Sequence, residues 1–325
     1  MFTTPRSRQI IPPCRFWFPE LSFVTVMGVS IAIEGPEGAG KSLLSLLVKL
    51  HLEETIDLPF IITREPGSSA LGEQIRQMLK TDIYKDLHPA TSALLFNASR
   101  AELFYKVEQP FLRDNPKGIL VKDRCWLSTE ALQVAEGGDR TFITNLTSPF
   151  KSIPDKFAII DIPVLETVVR MEAAFTYSSE REIDWRDEQK QEVLFEIRKN
   201  YLDFAVQNPD KCIVLDCFDD PWVKAGRIKF EAIKTLAEQE GKIIDNREGQ
   251  ELLLRFQQEA KKIMDEDTER KVLRIFDIEG LRRNVEKTRI KLNFPVRDEL
   301  RKKMHEEWGA LGLEGTQNLN RLERK

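Results

Sequence analysis

The chain has 325 residues, 41% of them hydrophobic, and its 49 Lys and Arg against 53 Asp and Glu leave a net charge of -4. This composition is ordinary for a globular protein of one or two domains, and it excludes collagen-like, low-complexity and wholly disordered chains. The near-neutral balance also argues against a protein held to nucleic acid by bulk charge, so we expect no nucleic-acid partner.

The cysteines and the apolar runs predict a cytoplasmic protein that does not enter a membrane. Cys14, Cys125, Cys212 and Cys217 have no metal-ligand spacing and do not suggest a disulfide scaffold or a zinc site. Reduced thiols are typical of the cytoplasm, which we predict as the location. No apolar run approaches the length of about 18 residues that a membrane-spanning helix needs.

The first 26 residues differ in composition from the rest of the chain. They contain four prolines and three arginines against one acidic residue, Glu20. An organelle-targeting peptide is one interpretation of such a segment. We favour an unstructured leader, or coding sequence upstream of a true start at Met27, because residues 27–33 begin a natural first strand and no clear amphipathic helix precedes them.

Short apolar runs alternate with helical patterns from Met27 onward. The runs typical of buried strands are Val29–Ile33, Phe60–Thr63, Gly118–Val121, Phe157–Ile160 and Cys212–Leu215. Helical spacing falls between them, at Ser42–Leu52, Ala70–Leu79, Thr91–Val107, Pro163–Ala174 and Asp187–Val206. This alternation predicts an α/β fold with a five-stranded parallel sheet covered by helices on both faces.

The last part of the chain has a different composition. Residues 241–325 carry many charges of both signs and contain helical stretches such as Glu251–Met264. Mixed charges of this kind are typical of solvated helix faces. We therefore divide the chain into a leader (1–26), an α/β domain (27–240) and a charged, mainly helical extension (241–325). We expect the extension to pack on the α/β domain or to act beside it, and the sequence names no partner for it.

A phosphate-binding loop follows the first predicted strand. The segment Gly35-Pro36-Glu37-Gly38-Ala39-Gly40-Lys41-Ser42 fits the pattern G-x-x-x-x-G-K-[ST] between a strand and a helix. Its glycines let backbone N–H groups converge on phosphate oxygens. Lys41 can reach the β- and γ-phosphates, and Ser42 offers a hydroxyl to Mg²⁺. Residues 35–42 are therefore predicted to bind a nucleoside triphosphate.

Three further segments narrow the class of enzyme. They are Thr63-Arg64-Glu65-Pro66-Gly67, Leu94-Leu95-Phe96-Asn97-Ala98-Ser99-Arg100-Ala101, and Lys122-Asp123-Arg124 with Leu127-Ser128-Thr129-Glu130-Ala131-Leu132-Gln133. Together with the loop, in this order and at this approximate spacing between Met27 and Val206, they resemble the thymidylate kinase family. The bacterial form, which has Glu in the loop, resembles the chain most.

The resemblance implies phosphoryl transfer from ATP to dTMP, giving dTDP for dTTP synthesis, with Mg²⁺ as cofactor and a homodimer formed through helices of the core. Because the acceptor phosphate is already anionic, such an enzyme needs alignment and charge neutralisation rather than a strong base. Lys41 and Asp123 would be catalytic, and Ser42 and Asp123 would lie near the metal. A turn or helix N-cap aspartate is the alternative role for Asp123.

The resemblance also places residues on the acceptor phosphate and sugar. Arg64 and Arg124 would form planar forks on that phosphate, which Lys would match poorly. A lone arginine after a strand is more often a surface ion pair. Glu37 would lie near the sugar 3′-hydroxyl.

The thymine base would be held by four side chains. By the resemblance, Phe96 stacks on the ring, Arg100 hydrogen-bonds its edge, and Ser128 and Gln133 help hold it. The alternative for Phe96 is a core side chain on an apolar helix face.

A lid is expected to supply the last positive charge. Members of the family that, like this chain, have glycine at the position of Gly38 take a catalytic arginine from a mobile segment that closes over ATP. The corresponding segment here lies between the fourth strand and Tyr201. Arg186 is the first choice and Arg181 the second, and either could be an ordinary exposed loop residue.

Three positions depart from the family pattern. Ser68 replaces the second glycine of the TREPGG motif, so the turn after Pro66 is expected to differ. Cys125 replaces the usual Tyr or His after Asp-Arg and is expected to be a small buried spacer. Leu132 stands where an aromatic usually helps to exclude a 2′-hydroxyl, which weakens the prediction of strict deoxyribose selectivity.

Two alternatives to dTMP phosphorylation remain open from the sequence. One is a kinase of another nucleotide or deoxynucleoside that shares the architecture. The other is a degenerate nucleotide-binding protein whose charged extension engages a partner. Activity measured with a panel of monophosphates distinguishes dTMP phosphorylation from the first alternative. ATP binding without turnover on any of these monophosphates would favour the second.

Overall fold

One parallel sheet of five strands organises the molecule. The computed structural model describes residues 28–81, 86–151, 153–177, 191–242, 246–263 and 278–313. The strands are β1 (Val29–Glu34), β2 (Phe60–Arg64), β3 (Ile119–Asp123), β4 (Lys156–Asp161) and β5 (Cys212–Asp216). They lie in the order β2-β3-β1-β4-β5, and every pair is parallel. The α/β class with five parallel strands is therefore confirmed.

The central strands are apolar along their length because helices cover both faces of the sheet. Ile31 and Ile33 of β1, Val121 of β3 and Ile159 of β4 are all buried. This explains why the strands appear in the sequence as continuous apolar runs rather than as an alternation of apolar and polar residues.

The carboxyl ends of the strands meet at one edge of the sheet, and polar side chains gather there. Asp123 of β3 lies in register with Ile33 of β1 on one side and with Arg64 of β2 on the other. At the far side of the sheet, Asp161 of β4 lies in register with Asp216 of β5. Ligands of open parallel sheets bind at this edge, so the functional site is expected here.

Helices connect the strands and cover the sheet. They are α1 (Lys41–Thr55), α2 (Ala70–Lys80), α3 (Pro89–Leu103), α4 (Gln109–Asp114), α5 (Trp126–Ala135), α6 (Arg140–Thr147), α7 (Val164–Tyr177), α8 (Gln191–Gln207) and α9 (Pro221–Gln239). Side chains cap several N-termini: Ser69 accepts from the N–H of Gly72, and Asp220 accepts from that of Trp222. These caps satisfy backbone donors that the helix itself leaves unpaired.

The helix predicted over Thr91–Val107 is longer and is interrupted. Helix α3 begins at Pro89, and a π-helical turn, Phe104–Glu108, joins it to α4, which continues to Asp114. Pro110 lies in the first turn of α4 and has no N–H to donate, so the backbone widens just before it.

The extension is helical where it is described. Its helices are α10 (Asn246–Ile263), α11 (Ile278–Lys291) and α12 (Arg297–Ala310). Helix α10 packs on α9, where the ring of Phe256 meets Phe230, and α11 packs on α7. Leu300, Met304 and Trp308 of α12 are buried in the same hydrophobic core as the sheet.

None of the helices within the described ranges combines the length and the apolar character that a membrane span requires. Cys125, Cys212 and Cys217 are free and buried. Burial raises the pKa of the Cys212 and Cys217 thiols to about 12, so both stay protonated at neutral pH.

Candidate active site at the carboxyl edge of the sheet

The phosphate-binding loop connects β1 to α1. Gly35 has φ +142°, and a Cβ at this position would lie 2.5 Å from the carbonyl oxygen of Ile160, so only glycine fits the approach to β4. Gly40, with φ +91°, is the N-cap of α1, so the unpaired N–H groups of the first turn follow directly on the loop. The sequence prediction for this segment rests on local chain geometry, and the structure has the same strand, loop and helix.

Lys41 lies over its own loop. Its ammonium donates to the carbonyl oxygens of Gly35 at 2.9 Å and of Pro36 at 2.6 Å. Burial and, after it, the positive charge of Arg124 lower the pKa of Lys41 from 10.5 to about 8, although the carboxylates of Glu37 and Asp123 act in the opposite direction. The side chain is thus a buried cation poised near neutral pH at the start of α1.

Ser42 and Asp123 bring a hydroxyl and a carboxylate together. The hydroxyl of Ser42 donates to Oδ2 of Asp123 at 3.4 Å, which joins the first turn of α1 to the end of β3. Among the residues that the structure describes, no group of three or more His, Cys, Asp or Glu side chains could hold a metal ion. A hydroxyl and one carboxylate suit Mg²⁺, which keeps few protein ligands and completes its shell with water and phosphate oxygens.

Arg124 follows Asp123 in a left-handed conformation, with φ +71°. It forms an ion pair with Glu37 of the phosphate loop and donates to the hydroxyl of Ser128 at 3.0 Å. Burial opposes its charge, but Glu37 together with Tyr201, Glu34 and Asp123 outweighs burial and holds the pKa of Arg124 above its ordinary value. Arg124 therefore stays charged beside the phosphate loop.

Glu34 lies behind this pair at the end of β1, fully buried. Its carboxylate accepts from the backbone N–H of Cys125 at 2.7 Å, from Ser128 at 2.6 Å and from the Tyr201 hydroxyl at 3.0 Å. These bonds satisfy a buried charge and fix the turn that carries Arg124. The small side chain of Cys125 is buried, as expected for a spacer. Glu34 was not predicted from the sequence, although a carboxylate ending an apolar strand before the loop is a recognisable signal.

Arg64, at the end of β2, faces the same space from the other side. Its guanidinium donates to Glu73 at 2.9 Å, and the Glu73 carboxylate also accepts from the N–H of Ser68. Ser68 has φ +56°, and its hydroxyl accepts from the backbone N–H of Arg64. The turn after Pro66 thus contains a left-handed residue that is a serine.

Arg76 of α2 is a cleft residue that was not predicted from the sequence. It donates to the carbonyl oxygen of Pro66 at 3.2 Å and lies near Arg64 and Arg124. Burial and the charge of Arg64 lower the pKa of Arg76. Its signal was weak, because an arginine within a predicted amphipathic helix is usually assigned to the solvent face.

Arg100 is held in a buried network. Its guanidinium donates to Glu65 at 2.7 Å, to Asn97 at 2.7 Å and to Thr129 at 2.9 Å. Lys122 completes the network with Glu65 at 2.9 Å and Glu108 at 2.5 Å. Arg100 still borders the cleft, but its orientation is fixed by these partners.

The side chains expected to hold the acceptor base form one wall of the cleft. Phe96, Arg100, Ser128 and Gln133 all line it, and Leu132 lines it beside them. Phe96 is half-buried on α3, and Gln133 is buried and donates to Glu136 at 3.3 Å. A ring on α3 and a buried amide on the neighbouring helix α5 suit a flat base with polar edges.

A single cleft of about 1110 Å³ joins this wall to the phosphate loop and continues past it. Beyond the loop it is bordered by α7 and by the turn between β5 and α9. Arg170 of α7 lies there and donates to Glu166 at 2.6 Å and to the Gly38 carbonyl oxygen at 3.2 Å. Arg170 was also missed, because its helix carries no motif that separates it from a surface helix. Arg181 and Arg186 lie outside the described residues.

Known protein families and sequences match the central part of the chain. A family model described as thymidylate kinase matches residues 33–218. The chain is 34% identical over 191 residues to the thymidylate kinase of Chlamydia felis, covering 57% of this chain and 88% of the relative. It is 32% identical over 213 residues to that of Mycoplasma capricolum, covering 63% and 95%.

A solved structure also matches. The crystal structure of thymidylate kinase from Ehrlichia chaffeensis is 28% identical, with a TM-score of 0.46, and the match covers 64% of this chain and 98% of that one. Helices α10, α11 and α12 lie beyond the residues that the family model matches.

Proposed function

The chain belongs to the thymidylate kinase family and is a nucleoside monophosphate kinase, and on this basis we propose that it transfers the γ-phosphoryl group of ATP to dTMP, giving dTDP. The observation that carries the proposal is that one continuous cleft contains the phosphate loop, the arginines Arg64, Arg76 and Arg124, and the wall with Phe96 and Gln133. We also propose that the reaction depends on Mg²⁺ and serves dTTP synthesis.

The transfer needs no strong base. An oxygen of the acceptor phosphate bonds to the γ-phosphorus while the bond from that phosphorus to its bridging oxygen breaks, and the electron pair leaves with ADP. Because the attacking oxygen is already anionic, no side chain has to remove a proton. The protein's task is to align two polyanions and to offset their repulsion.

Arg64, Arg76 and Arg124 are suited to the acceptor phosphate. Their partners at the cleft are Glu73, a backbone carbonyl and Glu37, and phosphate oxygens can take the place of any of these acceptors. Planar guanidinium groups bind phosphate through paired hydrogen bonds, which favours in-line alignment. The carboxylate of Glu37 is then released towards the sugar hydroxyl.

Lys41 and the oxygens of Ser42 and Asp123 act on the donor side. The ammonium of Lys41 lies on two loop carbonyls, within reach of phosphates bound by the loop. Ser42 and Asp123 would hold Mg²⁺, whose charge, when it is bound, offsets that of the donor phosphates. Asp123 also fixes the hydroxyl of Ser42 at the start of α1.

An arginine of the expected lid completes the charge balance in this proposal. Arg186 is the first choice and Arg181 the second, because the chain has Gly38 where an arginine within the loop would otherwise serve. Replacing the acting arginine with alanine should lower kcat and leave both KM values nearly unchanged, since the contact forms only at the transition state. A lower kcat for only one of the two variants would identify the residue.

We assign thymine selectivity to the wall formed by α3 and α5. Phe96 would stack on the base, and Arg100 and Gln133 would hydrogen-bond its edge, with Ser128 beside them. Leu132 at this wall leaves room near the sugar, so we expect weaker rejection of a 2′-hydroxyl than an aromatic side chain would give.

One assay tests the proposal. Purified protein with ATP and Mg²⁺ is offered dTMP, dUMP, dCMP, dGMP and thymidine, and formation of ADP is followed. We expect the highest kcat/KM with dTMP, and Lys41→Met should abolish the signal. Preference for any other acceptor would assign a different kinase, and ATP binding without turnover on all of them would favour a degenerate nucleotide-binding protein.

We also propose a homodimer formed through the core helices, in a reducing compartment such as the cytoplasm. Leu71 of α2, Leu94 of α3 and Phe142 of α6 are large apolar side chains exposed on neighbouring helices. Leu94→Asp should shift the sedimentation coefficient to that of a monomer. Leu254→Asp, at a similarly exposed position on α10, is the matched control and should not.

A further inference from the structure

The extension forms part of the cleft. Arg282, Val285 and Glu286 of α11 and Arg297 of α12 line the same cavity as the phosphate loop. All four lie beyond residue 218, where the match to the family model ends. The cleft of this chain therefore has a wall that the matched region does not supply.

Helix α11 is fixed to α7 by buried polar contacts. The amide of Asn284 donates to the carbonyl oxygen of Ala173 at 2.5 Å. The guanidinium of Arg289 forms an ion pair with Glu166, and both side chains are buried. Glu166 also accepts from Arg170 at 2.6 Å, so the same carboxylate links α11 to the arginine beside the phosphate loop.

Arg297 is held against the turn that follows β5. Its guanidinium donates to the carbonyl oxygen of Phe218 and lies 5.3 Å from the centre of the Phe218 ring. Four residues later, Arg301 forms a 2.6 Å ion pair with Asp216 at the end of β5. The start of α12 is therefore positioned by the strand edge that builds the site.

The position of the wall formed by α11 and α12 indicates which of the two substrates it contacts. The phosphate loop follows β1, the central strand in the order β2-β3-β1-β4-β5, so it lies between the cleft residues that follow β2 and β3 and those that follow β4 and β5. In the proposed function the acceptor takes the first of these sides, with Phe96 and Gln133. The ribose and base of the donor must then extend to the opposite end. That end combines apolar side chains (Met171, Phe218 and Val285) with the arginines Arg170, Arg282 and Arg297, a mixture that suits a purine nucleotide.

Arg282 is open to a ligand on this side of the cleft. It is exposed at the cleft, and within the described part of the chain it has no hydrogen bond or ion pair. Glu286, one turn further on, is paired with Arg289 at 3.4 Å. A guanidinium of this kind can bind a phosphate or stack on a base.

We propose that the extension completes the donor-nucleotide site, with Arg282 and Arg297 contacting the bound ATP. The proposal rests on the proposed function for the identity of the donor. It gives residues 278–313 a role in binding ATP and none in binding dTMP.

The test compares Arg282→Gln with Arg283→Gln in the full-length protein. Arg283 is the neighbouring exposed arginine on α11 and does not line the cleft. Dissociation constants for ATP, ADP and adenosine are measured by calorimetry, and KM is measured for ATP and dTMP separately. We expect Arg282→Gln to weaken ATP binding about 5- to 20-fold, leaving KM for dTMP unchanged, and Arg283→Gln to stay within about twofold of wild type.

Each outcome has a meaning. Loss for ATP and ADP but not adenosine assigns the contact to phosphate, and loss for all three assigns it to the base or ribose; both support the proposal. Equal losses in the two variants, equal losses for ATP and dTMP, or no loss would overturn it. If wild-type protein binds ATP through Arg282 but does not phosphorylate dTMP, the proposed function fails while this inference stands.

Discussion

The indole of Trp308 donates a 2.7 Å hydrogen bond to Oδ2 of Asp161 at the carboxyl end of β4. The two residues are 147 positions apart, and both are buried. Asp161 also accepts two hydrogen bonds from Arg198 of α8, at 2.7 and 2.9 Å. The last described helix is thereby fastened to the edge of the sheet that builds the site.

Removing this contact should destabilise the whole domain. Trp308→Ala deletes a fully buried ring and is expected to lower the free energy of unfolding by about 3–5 kcal/mol. Trp308→Phe keeps most of the ring and loses the hydrogen bond, while Arg198 still satisfies Asp161, so about 1–2 kcal/mol is expected. Urea unfolding followed by circular dichroism measures both. A Trp308→Ala protein as stable as wild type would show that α12 is a separate unit.

The network beneath the acceptor site is expected to be sensitive to the loss of one charge. Lys122→Met leaves the buried carboxylates of Glu65 and Glu108 without their shared cation and should cost about 3–5 kcal/mol of folding free energy. Lys49→Met, which breaks an exposed pair with Glu53, is the control and should cost less than about 1 kcal/mol. Similar losses in both variants would contradict the assignment of the network to the core.

Phe96 is expected to act on one substrate only. Phe96→Ala removes the proposed stacking surface and should raise KM for dTMP about 10- to 100-fold, since stacking a base on an aromatic ring contributes about 1–3 kcal/mol. KM for ATP should stay unchanged. Phe195→Ala, at an exposed phenylalanine of α8 that does not line the cleft, provides the comparison. If Phe96→Ala alters only the melting temperature, the ring is a core side chain.

The pKa of Lys41 predicts how ATP binding depends on pH. Burial lowers this pKa to about 8, so in the free protein the ammonium is charged below pH 8 and loses its proton above it. Phosphates bind the charged form, and ATP affinity should therefore fall as pH rises through about 8, by up to about tenfold per pH unit.

Lys224 provides the control for this titration. Burial lowers its pKa to about 8 as well, and it lines the same cleft. Calorimetry between pH 7 and 9.5 should show that Lys41→Met removes the pH dependence and that Lys224→Met keeps it. The reverse result would assign the titration to Lys224.

The phosphate loop, the strands and the class of enzyme could be predicted from the amino-acid sequence alone. The glycine spacing around Lys41, the apolar runs of the strands and the polar residues after β2 and β3 are local signals, because each follows from the conformation of a few consecutive residues. The strand register then brings Asp123 beside Arg64, as their positions at strand ends implied. The α/β fold and the enzyme class were both accessible at this level.

Contacts between residues that are distant in sequence could be identified only from the folded structure. The sequence could not show that Arg76 and Arg170 turn towards the cleft, that Glu34 holds the Arg124 turn, or that Arg282 reaches the site. Which face of a charged helix is buried is set by its packing partner, and Glu166 and Asp161 are partners more than 100 residues away from the extension that contacts them. Local patterns placed the phosphate loop, and only packing could place the extension beside it.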